Sequence, residues 1–111
     1  MKTVVITGST RGIGYGLANS FLNLGCAVVV SGRATASVER AVAQLMAKYE
    51  PDHGFGLPCD VTCLEQVQAL WDAALARFGK IDIWINNAGV GHPQVDFWDC
   101  SQEQIQAVVG C

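Results

Sequence analysis

The octet "TGSTRGIG", Thr7 to Gly14, combines three glycines, short hydroxyl side chains and one arginine. It follows directly on the apolar run Val4-Val5-Ile6, and helical spacing begins within it. A glycine turn between a strand and a helix is suited to holding a phosphate. Gly8 permits a tight exit from the strand, Gly12 lets the backbone approach a pyrophosphate, and Gly14 lets the helix pack close to the sheet. Unpaired N–H groups at the helix start, with the positive end of its dipole, favour an anion. The spacing reads T-G-x-x-x-G-x-G, and no Gly-Lys-Ser/Thr follows, so it is not a P-loop.

Other residues could act beside this turn. The second strand ends Ser31-Gly32-Arg33, without the carboxylate that would accept a ribose 2′-hydroxyl of NAD. Arginine there attracts a 2′-phosphate instead, and Arg11 and Arg33 are expected to close on it from two sides, with Ser31 offering a hydroxyl. The expected cofactor is therefore NADP, with NAD the less favoured choice. Asp60 lies in Cys59-Asp60-Val61-Thr62, and a buried apolar run ends abruptly at Asn86-Asn87-Ala88-Gly89.

The elements that must position these residues alternate from the first residue. Thr3 to Thr7 reads as a strand, and Ile13, Leu17, Phe21 and Leu24 as a helical stripe closed by Gly25. Ala27 to Val30 is apolar throughout, as a parallel strand covered on both faces should be. Val38, Val42, Leu45 and Tyr49 mark a second helix ended by Pro51, and Gly54 to Cys59 a weak third strand. Thr62 and Glu65 have the spacing of a capping box. It would open a helix with Leu64, Val67, Trp71, Ala74 and Phe78 on one face and Gly79 at its end. "IDIWI" is the fourth strand; a loop through Gly91-His92-Pro93 then leads to a helix starting near Ser101. The layout βαβαβαβ implies an α/β fold, a doubly wound parallel sheet of Rossmann type, incomplete, with about four strands in the order 3-2-1-4.

Four ordered stretches carry a family resemblance: TGSTRGIG, Cys59-Asp60-Val61-Thr62, Gly79-Lys80-Ile81-Asp82 and Asn86-Asn87-Ala88-Gly89. Together they resemble the short-chain dehydrogenase/reductase family over essentially the whole chain. The extended members of that family resemble T-G-x-x-G-x-x-G instead, and Arg11 stands where they place glycine. The resemblance implies cofactor contacts from Gly8, Ser9, Thr10, Arg11, Gly12, Ile13 and Gly14 in the turn. It implies further contacts from Arg33, from Asp60 and Val61 beside the adenine ring, and from Asn87, Ala88 and Gly89 in the cleft. It also implies that the asparagines brace the central strand, and that basic residues at positions 11 and 33 accompany NADP.

The family's acid is a tyrosine with a lysine four residues on, aided by a serine. Here Asn19 follows Tyr15 at that distance and His53 follows Tyr49, so neither fits and no catalytic residue is assigned. His92 reads as a loop residue. Residues 1–111 are expected to be the NADP-binding half of a short-chain oxidoreductase that interconverts an alcohol and a carbonyl by hydride transfer. The catalytic half would lie outside the chain, which alone would be inactive. The alternative is a non-catalytic dinucleotide-binding or regulatory module. The substrate is not legible; Phe97 and Trp98 are expected to pack beside the last helix rather than to edge its pocket.

In the family architecture a further parallel strand flanks "IDIWI". Without it that strand would be an exposed edge, leaving the chain marginally stable and prone to pair or aggregate. A full-length parent would form a homo-oligomer, as the family commonly does. The net charge of −3 and scattered basic residues give no footprint for nucleic acid or anionic membrane, and no apolar stretch approaches a bilayer span. The five cysteines form no C-x-x-C pair, and Cys59 and Cys63 lack a second ligand pair, so no metal site is expected. The first residues lack a signal peptide's pattern, which leads to the expectation of a cytoplasmic address.

Overall fold

The computed structural model describes residues 1–87 and the backbone of one further strand at Asp96–Asp99. The elements are β1 (Thr3–Ile6), α1 (Gly12–Asn23), β2 (Ala27–Gly32), α2 (Thr35–Met46), β3 (Gly54–Pro58), α3 (Leu64–Phe78), β4 (Ile83–Asn86) and β5 (Asp96–Asp99). One 3₁₀ turn, Pro51–His53, leads into β3. The first four strands are parallel in the order β3-β2-β1-β4. That is the doubly wound arrangement expected from strands alternating with helices.

The edge expected at β4 is covered. β5 pairs antiparallel with it, matching Trp84 to Trp98 and Asn86 to Asp96, so the sheet has five strands. Its sequence neither alternates nor runs apolar, which is why strand periodicity did not disclose it. Unpaired backbone groups at a sheet edge favour any extended segment within reach. The expected helix near Ser101, the Gly91-His92-Pro93 loop and His92 lie outside the described residues, as do the side chains of Phe97 and Trp98.

Side chains of the central strands alternate between two cores. Val4, Ile6, Val28, Val30 and Ile85 meet Ala18 and Leu22 of α1 and Ala41 and Leu45 of α2. Val5, Val29 and Trp84 meet Leu70, Trp71 and Ala74 of α3, with the Trp71 and Trp84 rings 5.6 Å apart.

The helix faces differ from the expected stripes. In α1 the buried residues are Gly14, Ala18 and Leu22, while Ile13 and Leu24 are exposed. Small residues spaced by four let the helix lie close to the sheet, and Leu17 and Phe21 of the expected stripe pack half-buried at the edge of the core. Leu64 is also exposed, and Leu70, Trp71 and Ala74 carry the burial of α3. The capping box does not form. Cys63 is the N-cap without a side-chain bond, and Thr62 donates its hydroxyl to Asp60 instead. The helix begins one residue later than the box requires, which puts Thr62 before the N-cap.

The start of β4 is fixed to β1 by a reciprocal pair. Thr3 N–H donates to Asp82 Oδ2 (2.8 Å), and Asp82 N–H donates to the Thr3 carbonyl (2.9 Å). Lys80 Nζ lies 3.2 Å from the same carboxylate oxygen. Burial alone would raise this carboxyl's pKa, but the Thr3 N–H bond, Lys80 and Lys2 outweigh it and hold it below the ordinary value. A carboxyl depressed in the folded state stabilises above its unfolded value, near 4, and that stability is lost as pH falls through the folded value. Asp82→Ala is therefore expected to destabilise by about 1–3 kcal/mol at pH 7. Thermal unfolding should show the gap to the parent narrowing as the pH falls below about 4; an unchanged gap would contradict the assignment.

Candidate functional site

The four parallel strands end side by side, and the residues just beyond them surround one cleft of about 910 Å³. Gly8, Thr10, Arg11 and Gly12 come from the turn after β1, and Gly32, Arg33 and Ala34 follow β2. Cys59, Asp60, Val61 and Thr62 follow β3, and Asn87 follows β4. The chain leaves β1 toward β2 on one side and reaches β4 on the other. This is the switch point at which open α/β sheets hold ligands.

The turn is built from below. Ser9 is fully buried; its hydroxyl donates to the Ile6 carbonyl (2.7 Å) and accepts from Ser31 N–H (3.0 Å). Ser9 N–H also donates to the Ser31 carbonyl at 2.8 Å. Ser31 is likewise fully buried, with its hydroxyl 3.4 Å from the Ile6 carbonyl. Both hydroxyls are thus committed beneath the turn. The Ser31 hydroxyl expected to face a phosphate does not line the cleft, and neither does Ser9.

From the β4 side, Thr7 Oγ1 donates to Asn86 Oδ1 (2.9 Å) and accepts from Asn87 N–H (2.9 Å). Asn87 Nδ2 donates to the Gly8 carbonyl at 3.0 Å. The two asparagines therefore brace the turn as well as ending the strand. Above this brace Gly12 adopts φ +65, and a side chain there would meet nothing within 4 Å, so the backbone stands open to the cleft. Neither α1 nor α2 has a side-chain cap, which leaves backbone donors at both starts available to an anion.

Of the residues expected at the site, Gly8, Thr10, Arg11, Gly12, Arg33, Asp60, Val61 and Asn87 line the cleft. Gly14 is buried under the turn, Ile13 is exposed away from it, and Ala88 and Gly89 lie outside the described residues. The sequence reading missed Ser37, Arg40 and Gln44 of α2, which also line the cleft. Their spacing of three and four residues, one helix turn beyond Arg33, was the available signal. The Asp60 carboxyl is held below its usual value, first by the Thr62 hydroxyl, then by Thr62 N–H and by the charge of Arg33. Burial raises the Cys59 thiol, aided by Asp60 and Cys63, so it stays protonated at neutral pH and is no nucleophile. Tyr49 donates its hydroxyl to Asn19 (3.0 Å), tying the segment after α2 to α1.

Fold and site together define a nucleotide-binding α/β protein. The chain belongs to the short-chain dehydrogenase family, an oxidoreductase family whose model, described as short chain dehydrogenase, matches residues 2–111. It is 49% identical over 86 residues to chlorophyll(ide) b reductase NOL of rice, covering 78% of this chain and 25% of that protein. It also resembles the L-sorbose reductase of Gluconobacter frateurii, solved with NADPH and L-sorbose (TM-score 0.77, 34% identity, 82% of this chain and 34% of that one). A short-chain dehydrogenase/reductase of Burkholderia phymatum, solved with NAD, is 40% identical with a TM-score of 0.76, over 81% of this chain and 31% of that one. The chain thus spans a quarter to a third of the length of these relatives.

The expected cytoplasmic address is overturned, because the NOL proteins of rice and Arabidopsis thaliana are both chloroplastic. That expectation rested on the first few residues, and neither the fold nor the cleft encodes a compartment.

A Cβ on Gly14 would collide with the Gly8 carbonyl, with Asn87 Nδ2 at 2.5 Å and with Ser9 Cα at 2.8 Å. One on Gly16, in the same helix, would meet nothing within 4 Å. Gly14→Ala is expected to destabilise by about 1–3 kcal/mol, and Gly16→Ala to stabilise by about 0.5–1 kcal/mol. Urea unfolding midpoints check both signs; a neutral Gly14→Ala would contradict the close approach.

Proposed function

We propose that this chain holds NADP and forms the cofactor-binding part of an oxidoreductase that moves hydride between an alcohol and a carbonyl. The observation that carries the cofactor choice is the charge of the cleft. Arg11 and Arg33 line it, while Ser31-Gly32-Arg33 puts no carboxylate at the end of β2. A carboxylate there would repel a 2′-phosphate, whereas guanidinium groups can grip it bidentately. The similar solved structures were obtained with NADPH in one case and NAD in another, so the choice rests on this chain's own residues.

The residues present fit such a cofactor. Gly8 to Gly12 and the open start of α1 would receive the pyrophosphate, and Arg33 the 2′-phosphate. Asp60 and Val61 would flank the adenine, and Asn87 holds the turn in shape. When bound, the nicotinamide supplies or accepts the hydride. The chain's residues bind and orient; the Ser and Tyr-x-x-x-Lys set that would protonate the alkoxide is not in the sequence.

Arg33→Asp is expected to weaken NADPH binding by about one to two orders of magnitude, following the ~1.5–3 kcal/mol of a hydrogen bond to a charged group. NADH binding should hold or improve. Fluorescence titration with both cofactors checks this; equal losses for the two would contradict the assignment.

A further inference from the structure

We propose that Arg40 is a further determinant of 2′-phosphate binding, acting from α2 beside Arg11 and Arg33. This rests on the NADP reading and adds a residue to it.

Three of the chain's four arginines, Arg11, Arg33 and Arg40, line the cleft of a protein whose net charge is −3. The charge of Arg33 acts on the Asp60 carboxylate, which stays ionised through its bonds to Thr62. Arg33 and Asp60 line the same cleft, and among the described residues no ion pair joins them. A phosphate monoester carries about −1.5 to −2 at neutral pH, more than one guanidinium compensates.

Arg40 has no charged neighbour one helix turn away along α2. The residues one turn away on either side are Ala36, Ser37, Ala43 and Gln44, all uncharged, and Glu39 beside it projects elsewhere. Among the described residues Arg40 makes no ion pair, and the shift at Asp60 involves Arg33 but not Arg40. Ser37 and Gln44 line the cleft on the same face, so this wall of α2 offers a hydroxyl, a guanidinium and an amide in succession. Buried Ala41 and Val38 fix the helix against the sheet beneath them. Arg40 itself is exposed, and its loss leaves no cavity.

The test compares the parent chain with Arg40→Gln and Arg40→Lys. NADPH and NADH binding is read by fluorescence, and binding of 2′,5′-ADP and 5′-AMP by calorimetry. Arg40→Gln should weaken NADPH and 2′,5′-ADP by about five- to thirty-fold, the scale of one partly screened charged hydrogen bond. NADH and 5′-AMP should change less than about twofold on the same reasoning, with the melting temperature unchanged. Arg40→Lys should restore part of the loss, which separates lost charge from disturbed folding. A parent that prefers NADPH while Arg40→Gln binds it equally well overturns the role of Arg40 and leaves the NADP reading intact. So does an equal loss for all four ligands. A parent with no preference for NADPH overturns both.

Discussion

The cleft depends on one small constellation: Thr7, Asn86, Asn87 and the Gly8 carbonyl. Two strands far apart in sequence meet there, and Asn87 holds the backbone of the glycine turn through its side-chain amide. Without that brace the turn would be a flexible loop, and its N–H groups would have to be ordered by the ligand itself. With it, the ordering is done during folding, so less of the binding energy is spent on it. Gly14 belongs to the same constellation, because the brace occupies the space a side chain would need.

Electrostatics then set the character of the cleft. The protein is acidic overall, yet the edge where the parallel strands end gathers arginines from the turn after β1, the end of β2 and α2. Asp60 is the counterweight: its bonds to Thr62 fix its charge and shape the turn after β3. Such a cleft concentrates positive potential over the region where an anion's contacts are made, while the remaining surface stays acidic.

Much of this was legible in the residues, for identifiable reasons. Continuous apolarity in Ala27–Val30 gave a strand covered on both faces, and the T-G-x-x-x-G-x-G spacing located the turn. What was not legible depended on three-dimensional competition. Ser9 and Ser31 look like phosphate ligands in sequence, but the Ile6 carbonyl lies inside and accepts from both hydroxyls. Thr62 has the spacing of a helix cap, yet Asp60 captures its hydroxyl first. The bulky stripe of α1 was a natural core face, but the constraint was closeness to the sheet, which the row of Gly14, Ala18 and Leu22 satisfies. β5 pairs because β4 offers an open edge, which its own sequence does not announce.

The central claim is that the edge formed by the turn after β1, the ends of β2 and β3, and Asn87 receives a dinucleotide. Amide chemical-shift mapping of the ¹⁵N-labelled chain during titration with NADPH tests it most directly. The account expects the largest shifts at Gly8–Gly12, Gly32–Ala34, Asp60–Thr62 and Asn87, with the outer faces of α1 and α3 silent. Saturable shifts confined to another surface, or none at millimolar NADPH, would contradict it.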